Sequence, residues 1–265
     1  MVGEEEEVTP VGLTFFFHRM NETNKRIVII GATSGIGYEV ASLYIEKGYQ
    51  VGVAGRRTER LETLRAKAPQ QVFTQYIDVT SQAAPEQLMA LIERMGGMDI
   101  ILLCAGIGHQ NRCLTAEIEM RTLQTNVEGF TRMVLAAYHY FSGHGGGHIA
   151  AISSIAGTKG LGVAPAYSAT KRFQNTYLDA LAQLSRIERR PITFTDIRPG
   201  FVKTALLNDG LRYPMCLSPR YAARLIVRAI DRRQRQAIID WRYALLVFFW
   251  RLLPEWLWER LPIAN

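Results

Sequence analysis

Ile27-Val28-Ile29-Ile30-Gly31-Ala32-Thr33-Ser34-Gly35-Ile36-Gly37 carries a short, wholly apolar run straight into a turn with three glycines. The run has the composition of a buried strand, and helical patterning follows from about residue 36 to 47. Strand, glycine turn and helix in that order make a cradle for a phosphate. The glycines admit a tight turn and close backbone approach, while the free N–H groups and dipole at the helix start attract an anion. The spacing is GxxxGxG, which is neither GxGxxG nor the GxxxxGK[ST] loop of NTPases. Ordinary turn chemistry would also produce such a stretch, so the rest of the chain has to decide.

Outward from that turn, apolar strands alternate with amphipathic helices. Strands are expected at Ile27–Ile30, Gln50–Ala54, Val72–Ile77, Ile100–Cys104, His148–Ser153, Ile192–Ile197 and Ala237–Ile239. Helices are expected near 36–47, 58–67, 83–95, 117–141, 166–189 and 219–231. This alternation predicts an α/β architecture, a parallel sheet doubly wound by right-handed crossovers and covered on both faces. With 265 residues, no internal repeat and no low-complexity linker, the chain reads as one domain over 25–240. A flexible extension at 1–24 is expected before it and an apolar, aromatic-rich helical tail at 241–265 after it.

Composition narrows the function classes. The three cysteines (Cys104, Cys113 and Cys216) are widely spaced with no CxxC pair, which argues for a reducing compartment and against a zinc ribbon or a disulfide framework. Cys104, in an apolar strand, reads as a small buried hydrophobe rather than a reactive thiol. Glu4 to Glu7 have the wrong sign for a secretory signal. His144 and His148 bracket three glycines but lack a third ligand, so they read as a turn before a strand, and no metal is expected. From Ser218 onward there are nine arginines against four acidic residues, most of the net +7. No nucleic-acid motif accompanies them, which leaves solvated helix faces, anionic lipid or a phosphorylated ligand as alternatives.

The second strand ends Val53-Ala54-Gly55-Arg56-Arg57. NAD sites place an acidic residue here for the ribose hydroxyls, whereas a 2′-phosphate requires a cation. Gly55 removes the repelling carboxylate and Arg56 offers a planar fork, so NADPH/NADP+ is expected ahead of NADH, with Arg57 assisting. Tyr167 and Lys171 stand four residues apart near the start of a long helical stretch, hence on one helix face. A neighbouring ammonium is expected to draw the phenol's pKa down toward the working range. Ser154 follows the strand His148–Ser153, at the carboxyl end where such sheets bind ligands.

Taken together, residues from Lys25 to about Thr204 resemble the short-chain dehydrogenase/reductase family. Gly31, Gly35 and Gly37 match its turn, and Ser154 precedes the Tyr167-xxx-Lys171 motif by thirteen residues, as the family spacing requires. Asn126, Asp78 and Pro199-Gly200 with Thr204 match its later segments. The resemblance implies a doubly wound Rossmann fold with a seven-stranded parallel sheet, and homodimers or homotetramers. It implies that Tyr167 gives a proton to a ketone oxygen as hydride arrives, that Ser154 holds that oxygen, and that Lys171 binds the nicotinamide ribose. Asn126 would support a water relay to Lys171. The implied cofactor set is Gly31, Thr33, Ser34, Gly35, Ile36, Gly37, Arg56, Arg57, Asp78, Val79, Ala105, Gly106, Tyr167, Lys171, Pro199, Gly200, Val202 and Thr204, with Asp78 near the adenine. Two departures stand out. Ile30 replaces the leading Thr, and Leu103-Cys104-Ala105-Gly106 lacks the Asn residues that tie strand to turn in the family.

All four tryptophans lie after residue 240 (Trp241, Trp250, Trp256 and Trp258), in a stretch that as a helix over 241–253 is apolar all round. Such a helix must be buried or lie in lipid, and it is too short to span a bilayer. Interfacial attachment to a cytoplasmic leaflet is one reading; a hydrophobic cap over the cleft or a partner subunit is the other. The tail is similar to that of reductases acting on polyprenyl-phosphate-linked 2-keto-ribose, which implies a lipid-linked ketone. Three functions are weighed: a reductase of a hydrophobic ketone at a membrane face; a soluble dehydrogenase of a steroid, sugar or small alcohol; and a non-catalytic dinucleotide-sensing scaffold. The intact Ser154, Tyr167 and Lys171 weigh against the last. The expected location is the cytoplasm.

Overall fold

The computed structural model describes residues 25–207 and 213–263. The extension expected at 1–24 lies outside the described residues, as does 208–212. Seven strands form one parallel sheet: β1 (Arg26–Ile30), β2 (Gln50–Gly55), β3 (Val72–Tyr76), β4 (Ile100–Leu103), β5 (Gly147–Ile152), β6 (Ile192–Pro199) and β7 (Gln236–Ile239). Their order is β3-β2-β1-β4-β5-β6-β7. The connections therefore reverse direction between β1 and β4.

The sheet is buried on both faces, and its central strands β1 (after Arg26) and β4 are accordingly apolar at successive rather than alternate positions. In β1, Ile27 and Ile29 face one core while Val28 and Ile30 face the other. The first core is closed by α1 (Gly35–Glu46), α2 (Thr58–Arg65), α7 (Pro219–Asp231) and α8 (Trp241–Leu252). The second is closed by α3 (Ala84–Arg94), α5 (Phe130–Gly143) and α6 (Pro165–Ile187). Pro165 at the start of α6 and Pro219 at the start of α7 occupy first-turn positions, where a missing N–H costs nothing.

One expected helix is broken. The stretch at 117–141 divides into α4 (Ala116–Leu123), a π-helical turn (Gln124–Gly129) and α5. The wide turn carries Asn126 into the interior, where it is fully buried, with its side chain accepting from Ile107 N (2.9 Å) and donating to Ile107 O (2.7 Å). A helix-wide apolar pattern reads the same through such a turn, so periodicity did not reveal it. The two histidines around the glycine run also part company: His148 is buried against Thr195 Oγ1 (2.8 Å), while His144 Nδ1 lies 2.8 Å from Tyr140 O.

The tail forms α8, then α9 (Glu255–Trp258) after Pro254. Only one side of α8 packs inward, through Tyr243 and Val247. Tyr243 accepts from Phe201 N (3.0 Å) and donates to Met215 O (3.0 Å). Trp258 Nε1 donates to Gly160 O (2.7 Å), and Lys159 Nζ to Leu253 O (3.0 Å). The tail thus braces the loops on either side of the cleft described below, and among the described residues none of the tail lines it.

Candidate active site

At the carboxyl ends of β2, β1, β4, β5 and β6 lies a cleft of about 380 Å³, straddling the point where the strand order reverses. Its floor is made by backbone meeting backbone. Gly31 adopts φ +95°, and a Cβ placed on it would stand 2.6 Å from Ala105 N, closer than any real side chain sits. Gly31 N donates to Ala54 O (2.8 Å) and Cys104 N to Ile30 O (2.8 Å), which ties the turn to both neighbouring strands. Main-chain bonds therefore join strand and turn here, where the Asn residues of the related pattern are missing. Gly35, at φ +55°, packs against Thr204, linking the turn to the segment after β6.

The residues expected from sequence gather here. Every member of the implied cofactor set lines the cleft except Gly37, which packs on Gly31 behind the turn. His109, in the loop after β4, lines it too. Ser154 and Tyr167 face the same space; Asn126 does not line it and supports it from behind. Asp78 spends one carboxylate oxygen on its own turn, accepting from Thr80 N (3.0 Å) and Thr80 Oγ1 (2.8 Å). The two arginines differ. Arg57 donates to Thr33 Oγ1 (2.8 Å) and Ser34 Oγ (2.7 Å), fastening α2 to the glycine turn. Arg56 lines the cleft with no hydrogen-bond or ion-pair partner among the described residues. A cleft with a free guanidinium at β2, a side-chain-free turn at β1 and proton-bearing groups at β5 suits a phosphate-bearing dinucleotide in its donor set.

Ser154 accepts from Ala156 N (3.1 Å) and donates to Pro199 O (3.4 Å), so its hydroxyl is fixed at the end of β5. The loop after β4 crosses the Tyr167 ring at Gly108, where a Cβ would stand 2.6 Å from the ring. Sequence reasoning missed Gly108, although a glycine two places after Gly106 was a visible signal. Lys171 is buried, and its Nζ lies 5.7 Å from the Tyr167 ring centre. It donates to Ile152 O (3.0 Å) and to Gln174 Oε1 (3.0 Å). Burial pulls its ammonium down to about 8, against the opposing influence of Cys104 and Asp196.

The expected lowering of the Tyr167 phenol is corrected by this geometry. Burial pushes Tyr167 above its ordinary value, and the Ser154 hydroxyl offsets only part of that. Desolvation penalises the phenolate, and the ammonium gives its protons to a carbonyl and a carboxamide rather than to the phenol.

The sequence profile of the short chain dehydrogenase family matches residues 25–211. The chain belongs to that family, and it is an NAD(P)-dependent oxidoreductase of this type. An uncharacterized oxidoreductase of Mycobacterium tuberculosis is 28% identical over 248 residues, covering 90% of this chain and 97% of that protein. Among solved structures, 3-ketoacyl-(acyl-carrier-protein) reductase from Brucella melitensis complexed with NADH aligns at a TM-score of 0.73 with 23% identity, covering 82% of this chain and 96% of that one. Alcohol dehydrogenase from the archaeon Thermococcus sibiricus complexed with 5-hydroxy-NADP aligns at 0.71 with 24% identity, covering 82% and 96%. At that identity the two structures show the shared fold. No described helix is long and apolar enough to cross a membrane.

Burial raises the Cys104 thiol to about 11, whereas Cys113 and Cys216 are exposed. Since the thiolate is the reactive form, native protein at neutral pH should take up iodoacetamide at Cys113 and Cys216 and at Cys104 only after denaturation. Rapid labelling of native Cys104, read by peptide mass spectrometry, would contradict this account of the β4 end.

Proposed function

We propose that the protein reduces a ketone to an alcohol with NADPH, Tyr167 acting as the proton donor. The observation that carries this reading is the convergence of Ser154, Tyr167 and Lys171 on the cleft that also holds the glycine turn and Arg56. When bound, the nicotinamide supplies the hydride. Burial keeps Tyr167 Oη protonated at neutral pH, the state a donor to a carbonyl oxygen needs. Ser154 Oγ, anchored by Ala156 N, turns its proton from the long bond to Pro199 O toward that oxygen as negative charge develops on it. One proton leaves Tyr167 for each ketone reduced, and the phenolate then takes one up from solvent. Lys171, buried beside the phenol, presents a cation to the cofactor ribose, the role that the family resemblance implies.

NADPH rather than NADH is supported by the unpartnered Arg56 and the lack of a carboxylate at Gly55. The related structures hold both kinds of dinucleotide, so the residues at the end of β2 carry the argument.

A hydrophobic or lipid-linked ketone, met at an anionic membrane surface, is the substrate class we favour. Trp241, Leu245, Phe248, Phe249 and Leu252 follow one side of α8 at helical spacing, and each is more than half exposed. Arg251 on α8 and Arg224, Arg228, Arg232 and Arg233 nearby in the chain are also exposed. An exposed apolar stripe on a helix that also carries exposed Arg251 fits shallow insertion among anionic headgroups.

Three measurements test these readings. Tyr167→Phe should lower turnover by about 10²- to 10⁴-fold while leaving NADPH binding intact; near-normal turnover would remove Tyr167 as the acid. Arg56→Ala should weaken NADPH by about 10- to 100-fold and leave NADH nearly unchanged; equal losses would overturn the 2′-phosphate assignment. The full chain should float with phosphatidylserine-containing vesicles at low salt, and the triple variant Leu245→Gln, Phe248→Gln, Phe249→Gln should not. Full-length protein that stays with soluble material would end the membrane reading.

A further inference from the structure

Behind Lys171 the structure holds a side chain that the sequence reading did not single out. Gln174 lies three residues on from Lys171 along α6, on the same helix face, and it is 1% exposed. Both ends of its carboxamide are engaged. Oε1 accepts from Lys171 Nζ at 3.0 Å, and Nε2 donates to the backbone carbonyl of Asn126 at 2.9 Å. The Asn126 side chain is itself taken up by Ile107 and by Thr170 Oγ1 (3.1 Å). The link between Asn126 and Lys171, for which the family resemblance implied a water, is made here by a protein amide.

We propose that Gln174 is a positioning residue that holds the Lys171 ammonium in place toward the cleft and closes the path between Lys171 and Asn126 with a carboxamide. A water in that position would both accept and pass on a proton. A neutral carboxamide accepts at its oxygen and donates at its nitrogen, and it cannot relay a proton without changing tautomer. The Asn126 side of the site is therefore a fixed wall, and the proton that Tyr167 gives up returns from the cleft. Among the described residues, Gln174 also supplies one of the two acceptors of the buried ammonium. The other is Ile152 O at the end of β5. The charged or titratable groups that face Lys171 are Cys104 at the end of β4, Asp196 on β6 and Tyr167 on its own helix. None of these contributes a hydrogen bond to Nζ, so the carboxamide is the side-chain group that stabilises the protonated form at contact distance.

This inference rests on the role proposed for Lys171, but its test needs no turnover. The full chain, labelled with ¹³C-lysine and assigned by loss of the peak in Lys171→Arg, is titrated by NMR without cofactor. In Gln174→Leu the Lys171 midpoint should fall about one to two pH units below that of the wild type, the size expected for an ammonium that loses one charge-assisted hydrogen bond. In the near-isosteric Gln174→Glu, which keeps the shape should the leucine variant not fold, the midpoint should rise above that of the wild type. Midpoints within a few tenths of a unit of the wild type would overturn the proposal, as would upward movement in both variants, which would mean only that water had entered a loosened core. Turnover retained in Tyr167→Phe would remove the catalytic reading and leave this result interpretable.

Discussion

The contact on which the rest of the site depends is between two pieces of main chain. Gly31 and the Cys104-Ala105 peptide approach too closely for any side chain at Gly31, and the hydrogen bond from Cys104 N to Ile30 O holds them there. This contact falls where the sheet reverses direction, between β1 and β4. A methyl group at Gly31 would force the Cys104-Ala105 backbone away from the turn and break the packing at the point of reversal. The glycine turn is thus a packing requirement of the fold before it is a feature of any ligand site. Its φ of +95° adds a second reason why only glycine fits.

Around that contact the chain buries an unusual amount of polar chemistry. Asp196 is fully buried; it pairs with Arg198 (2.6 Å) and accepts from Asn175 Nδ2 and Ser153. Lys171, Gln174 and Asn126 form a neighbouring buried group. Removing one member of such a set leaves an uncompensated polar group in low dielectric, so the network is costly to break and holds its members in single positions. Rigidity is its functional return. A hydroxyl, a phenol and an ammonium from β5 and α6 are held facing the cleft before any ligand arrives, with little reorganisation left for the reaction itself.

The strands were readable because β1, β4 and β5 hold apolar runs of strand length separated by helix-length amphipathic stretches. Gly31, Ser154, Tyr167 and Lys171 were readable because their identities and spacings carry both local geometry and chemistry. What escaped was long-range. A π-helical turn at Gln124–Gly129 leaves the apolar pattern intact and changes only where Asn126 points. Gln174 resembles any polar residue on a long helix until its neighbours are known. The phenol of Tyr167 was expected to be drawn down by a nearby cation; burial, which sequence does not report, raises it instead. Likewise the apolar tail helix allowed burial or lipid contact equally. In the fold one side of it is buried, with Tyr243 anchoring Phe201 and Met215, while Phe248 and Phe249 are exposed.

The central claim is that one crevice gathers the dinucleotide and the three proton-handling side chains. A crystal structure of the full chain grown with NADPH tests it most directly. The account predicts the adenosine 2′-phosphate against Arg56, the pyrophosphate over Gly31–Gly37, and the nicotinamide end beside Ser154, Tyr167 and Lys171. A dinucleotide bound elsewhere, or one whose nicotinamide lies out of reach of Tyr167, would contradict it.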